Sequence, residues 1–102
     1  MLPDLDEYGL LRNPAAWNES VAREIAALEG IGELTDDHWV IIRALREHYA
    51  KFGVAPAISQ VCHAHGRDWQ WVHELFHTCL NAWRIAGLPD PGEEAKSYLS
   101  AM

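Results

Sequence analysis

Apolar residues recur every three or four positions along most of this chain, and glycine or proline cuts that rhythm into short segments. The interrupting residues are Pro14, Gly30, Gly32, Gly53, Pro56, Gly66, Gly87, Pro89, Pro91 and Gly92. Such a pattern predicts a mainly α fold, a small helical bundle of short amphipathic helices. Trp17, Val21, Ile25 and Leu28 form the stripe of a first helix that ends at Gly30. Thr35 followed by Asp36 and Asp37 supplies an N-cap oxygen and two charges suited to the helix dipole, so a second helix starts there. Its rows are Trp39, Ile42, Arg46 and Tyr49, and Ile41, Leu45 and Phe52, up to Gly53. Pro56 opens a third helix through Ile58, Val61, Cys62 and His65, closed by Gly66. Asp68 caps a fourth, with Val72, Leu75, Phe76 and Cys79 on one side and Leu80 and Trp83 extending the stripe. Ahead of Pro14, Tyr8-Gly9-Leu10-Leu11 reads as a small turn or strand pair.

Several functions are excluded by composition. At 102 residues, 49% hydrophobic, the chain closes one core and has no repeat. The longest run of large apolar residues is Trp39-Val40-Ile41-Ile42, against the roughly 18 residues a membrane helix needs. The opening MLPDLDEYGL places acids where a secretory signal has bases, so a cytoplasmic protein is expected. Eight basic and fifteen acidic residues give a net charge of −7, which repels phosphates and disfavours DNA as a partner.

Cys62 and Cys79, the two thiols, both fall on apolar stripes, as small buried hydrophobes do. His73-Glu74-Leu75-Phe76-His77 matches the letters of a zinc-protease motif, but no His, Asp or Glu follows before Asp90 to complete a site, and no metal, cofactor or enzymatic activity is expected. The segment from Val61 through Gly66 and Asp68 to Phe76 resembles a helix-turn-helix, with Arg67, Gln70, Trp71 and His73 as its surface candidates and a single certain positive charge among them. Trp69 and Trp71 are two positions apart, point to different sides of one helix, and so offer an aromatic anchor for a partner protein.

The strings Trp17-Asn18-Glu19-x-Val21-Ala22, Glu29-Gly30-Ile31, Leu34-Thr35-x-x-His38-Trp39, Pro56-x-Ile58, Leu75-Phe76 and Ile85-Ala86-Gly87-Leu88-Pro89-x-Pro91 occur in this order. Together they resemble the DsrC/TusE family of sulfur-relay proteins, from about Leu10 to Pro91. The resemblance implies a helical domain with a helix-turn-helix-like unit, a short N-terminal hairpin and a flexible C-terminal arm. In the family that arm carries a cysteine that accepts persulfide sulfur for tRNA-thiolation enzymes or a dissimilatory sulfite reductase. The carrier stands three residues after the second proline, where this chain has Glu94. Some members carry a second cysteine at the position of Trp83. A carboxylate at Glu94 cannot act as the nucleophile and repels an anionic persulfide.

The expected protein is therefore a DsrC/TusE-like domain over residues 1–88 with an arm over 89–102, in which Glu93 to Leu99 can form a helical turn. It would bind a sulfurtransferase or sulfite-reductase-like complex and modulate sulfur relay without carrying persulfide. Trp69, Trp71, Pro89, Pro91 and Glu94 are the candidate contacts. The rival readings are a carrier using Cys79 or Cys62 and a helix-turn-helix regulator that binds DNA.

Overall fold

The structure, a computed structural model, describes residues 4–54, 58–68 and 70–101. Pro56 and Trp69 lie outside these. Among the described residues six α-helices follow a short 3-10 turn at Pro14–Ala16: α1 (Glu19–Leu28), α2 (Asp36–Phe52), α3 (Ile58–Ala64), α4 (Gln70–Phe76), α5 (Cys79–Ile85) and α6 (Glu93–Ala101). Among the described residues the strand content is one antiparallel bridge, Leu5 to Leu11. It closes a tight turn in which Asp6 Oδ1 accepts the amides of Tyr8 (2.8 Å) and Leu10 (3.0 Å).

Local chemistry sets most helix ends. Asn18 caps α1 by accepting the Val21 amide at 2.9 Å, and α2 ends where Gly53 turns left-handed. The buried face of α1 is Val21, Ala22, Ile25 and Ala26. Leu28, expected on that face, is 62% exposed because it falls roughly 90° from the centre of those four positions at 100° per residue. Phe52 is likewise exposed rather than buried, since Ala50, Lys51 and Phe52 form a final turn of α2 that faces solvent.

The predicted fourth helix is two helices. His77 adopts φ +71°, a left-handed conformation that breaks the ladder, and Thr78 Oγ1 then caps α5 by accepting the Asn81 amide at 3.1 Å. The apolar rhythm runs through the break, but the backbone does not. Re-aimed in this way, α5 becomes the hub of the fold and packs against α1, α2, α4 and α6. Cys79, Leu80, Ala82, Trp83 and Ile85 are buried along it, as befits a helix covered nearly all round. Its one buried amide is satisfied: Asn81 Nδ2 donates to the Phe76 carbonyl at 2.9 Å and Asn81 Oδ1 accepts from Arg84 at 2.7 Å.

The Leu-Thr-x-x-His-Trp string has a physical basis. His38 Nδ1 lies 3.0 Å from the Thr35 amide and 2.8 Å from the Thr35 hydroxyl and accepts from them, so the ring proton is on Nε2, which donates to the Leu75 carbonyl at 2.9 Å. The ring also meets Phe76 edge-on at 4.9 Å. One side chain thus caps the start of α2 and fastens it to the end of α4. His38→Ala is expected to destabilise the fold by about 2 kcal/mol, because polar groups at both ends lose their partner. A urea melt checks this, and an unchanged midpoint contradicts it.

Candidate functional site

The segment that leaves α5 is held by three long side chains. A helix end leaves its last carbonyls without partners, and those near Ile85 face the protein rather than water. Trp17 Nε1 donates to the Ile85 carbonyl at 2.9 Å, Arg46 Nη1 to the Ala86 carbonyl at 2.6 Å, and Trp83 Nε1 to the Pro89 carbonyl at 2.8 Å. The Arg46 guanidinium also lies 3.9 Å from the centre of the Trp17 ring, and burial lowers its pKa. A cation at a helix C-terminus suits the dipole. Tyr49 supports Trp83 edge-on at 5.8 Å.

Gly87 is fitted to this arrangement. Its φ is +69°, and a Cβ there would stand 1.9 Å from Trp17 Cδ1. The Trp-Asn string near the N-terminus and the Ile-Ala-Gly-Leu-Pro string near the C-terminus are therefore two halves of one contact, which defines the root of the arm.

Beyond the root, Asp90 Oδ1 accepts the Gly92 amide at 2.8 Å and α6 begins. Lys96 Nζ is buried between Asp90 Oδ2 (2.9 Å) and Glu93 Oε1 (3.1 Å), and sits 3.6 Å from the centre of the Tyr8 ring. Its bond to Asp90 raises the pKa of the ammonium above the usual lysine range, with burial opposing. The same bond, with the Gly92 amide, holds the Asp90 carboxyl below the usual carboxylate range. Tyr8 is tied down in turn, its carbonyl accepting from Arg84 Nε at 2.5 Å. Leu99 of α6 is fully buried in the common core.

Of the candidate contact residues, Pro89 is held by Trp83, which stands at the position of the family's second cysteine, and Pro91 and Glu94 follow on the same segment. Glu94 is exposed in the first turn of α6. Trp71 does not fit its expected exposure: only 8% accessible, it belongs to the core, because the face of α4 carrying Trp71, Val72 and Phe76 turns inward. Trp69 is outside the described residues. Lys96, Tyr8 and Arg84 were not singled out from sequence. Glu93-x-x-Lys96, an acid and a base one helical turn apart, is a local signal for the first of them.

Both cysteines are free and fully buried. Burial, with a smaller contribution from nearby Cys62, pushes the Cys79 thiol up to about 11. Its thiolate fraction at neutral pH is then roughly one part in ten thousand. Cys62 is raised as well, chiefly by burial. His77 has left the helix that carries His73, and among the described residues no group of three or more His, Cys, Asp or Glu is placed to hold a metal ion. The helix-turn-helix-like unit is formed by α3 and α4, joined through Gly66 at φ +70° and with Asp68 Oδ1 accepting the Gln70 amide at 3.0 Å. No helix among the described residues is long and apolar enough to cross a membrane.

Fold and site together define a small helical-bundle protein whose C-terminal segment is anchored at Trp83 and packed back on the body through Lys96 and Leu99. A family described as DsrC like protein matches residues 3–93. The chain is 37% identical to the sulfurtransferase TusE of Salmonella choleraesuis, covering 84% of this chain and 86% of that one. It is 34% identical to the TusE homologue of Haemophilus influenzae, covering 88% and 90%. Among solved structures, the oxidized γ-subunit of the dissimilatory sulfite reductase (DsrC) from Archaeoglobus fulgidus superposes with a TM-score of 0.79 at 34% identity, over 89% of this chain and 90% of that one. Allochromatium vinosum DsrC gives 0.73 at 35% identity, over 87% of each. The chain belongs to the DsrC/TusE family of sulfur-relay proteins. It has no cysteine after Cys79, and hence none in the arm.

Proposed function

We propose that this protein docks, in the cytoplasm, on a sulfurtransferase or a sulfite-reductase-type complex and modulates sulfur relay without carrying persulfide itself. One observation supports this reading above the others. The position that the family resemblance reserves for the carrier thiol is Glu94, exposed on α6, while the two thiols present are enclosed in the core. In this reading residues 1–88 are the body and 89–102 the arm. Pro89, Pro91 and Glu94 touch the partner, with Trp69 as an anchor from the body. An arm carrying a carboxylate where a thiol is expected can occupy a partner's site and accept no sulfur there.

Intact mass after incubation with a persulfide-loaded sulfurtransferase tests the claim. No added sulfur is expected. A gain of one sulfur atom that disappears in Cys79→Ser would return the protein to the carriers.

A further inference from the structure

We propose that α6 is an intramolecular strap that holds the arm segment 89–94 closed on the body, fastened by Lys96 and Leu99, and that engagement of a partner requires its release. The inference rests on the docking role given to the arm above.

A helix of nine residues does not hold its shape alone in water, so α6 exists through what it touches. Those contacts are of two kinds. Leu99 enters the core beside α5, which is a non-directional attachment. Lys96 supplies the directional one. Its bond to Asp90 spans Gly92, whose φ of +99° reverses the chain, so the pair folds α6 back over the segment that precedes it. Its position over the Tyr8 ring ties α6 to the N-terminal turn, and the Arg84–Tyr8 bond ties that turn to α5. Residues 89–94 thus lie between an anchored root at Trp83 and a fastened end at Lys96.

The fastening is suited to opening. Asp90 and Glu93 are 46% and 85% exposed, so their bonds to Lys96 compete with water and weaken with salt. A buried leucine such as Leu99 is a modest hydrophobic attachment for a helix. Only the open fraction can present the arm, and the apparent affinity is reduced by that fraction.

Amide hydrogen exchange on the full-length protein reads the strap without any partner. Lys96→Ala, and independently Leu99→Ser, should speed exchange across α6 by roughly tenfold or more and leave α1, α2 and α5 unchanged. Molar sodium chloride should do the same to the wild type and little to Lys96→Ala. Unchanged α6 protection in both variants overturns the strap. Capture on an immobilised sulfurtransferase then reads its role: Lys96→Ala should be captured roughly tenfold more tightly than wild type. A loosened α6 with equal or weaker capture overturns the inhibitory role. If exchange shows release while neither wild type nor variant is captured, the strap stands and the docking reading falls.

Discussion

Trp83→Ala is expected to destabilise the protein by about 3 to 5 kcal/mol, the range for deleting a fully buried tryptophan. Among the described residues Trp83 is the largest completely enclosed side chain, on the helix that packs against α1, α2, α4 and α6, and it meets Tyr49 edge-on. Its loss also frees the Pro89 carbonyl, so the arm should detach at its root as the core weakens. Chemical denaturation followed by tyrosine fluorescence or circular dichroism gives the first effect as a lower midpoint at similar slope. Trp83→Phe separates the two, because it keeps most of the packing and removes the N–H, and should cost about 1 to 2 kcal/mol. An alanine variant as stable as wild type would contradict the packing described for α5.

A second large effect is expected at Gly87, and Gly53 supplies its control. Both residues have φ +69°, so alanine at either pays the left-handed backbone cost of about 1 kcal/mol. At Gly53 the new Cβ meets nothing within 4 Å. At Gly87 it would overlap Trp17, which must swing away and give up its bond to Ile85 and its stack with Arg46. Gly87→Ala should therefore lose about 3 kcal/mol or more and change the Trp17 environment, whereas Gly53→Ala loses about 1. Thermal melts of the two variants side by side check this, and equal losses would mean that Trp17 does not pack on Gly87 as described.

These two sites show what could be read from the sequence. The stripe of α2 through Ile41 and Leu45, the Thr35 start and the Gly53 stop were legible because each depends on neighbours within a turn or two. The helix break at His77 was not, since Val72, Phe76, Cys79, Leu80 and Trp83 keep an apolar rhythm across it and only the left-handed backbone of one residue marks the change. Trp71 misled for a related reason. Its spacing from Trp69 marks it as a candidate for the outer face, but the rotation of α4 decides where Trp71 points, and that is set by contacts with α5 and α2. The arm root was visible as motif strings carrying a family resemblance. That Trp17 closes on Gly87 and bonds Ile85, 68 positions away, is a tertiary fact with no local signature. Glu94 and the missing arm thiol could be read directly from the sequence.

The proposed docking role places the function in the arm and its surroundings rather than in a thiol. Its most direct test is capture on an immobilised sulfurtransferase of two variants, Cys62→Ala/Cys79→Ala and a chain truncated after Pro89, each first shown to be folded by circular dichroism. The cysteine-free protein should be captured as well as wild type, while truncation should weaken capture by roughly thirtyfold, the equivalent of about 2 kcal/mol of interface. Full capture of the truncated chain together with lost capture of a well-folded cysteine-free chain would contradict the docking role and return the function to sulfur chemistry.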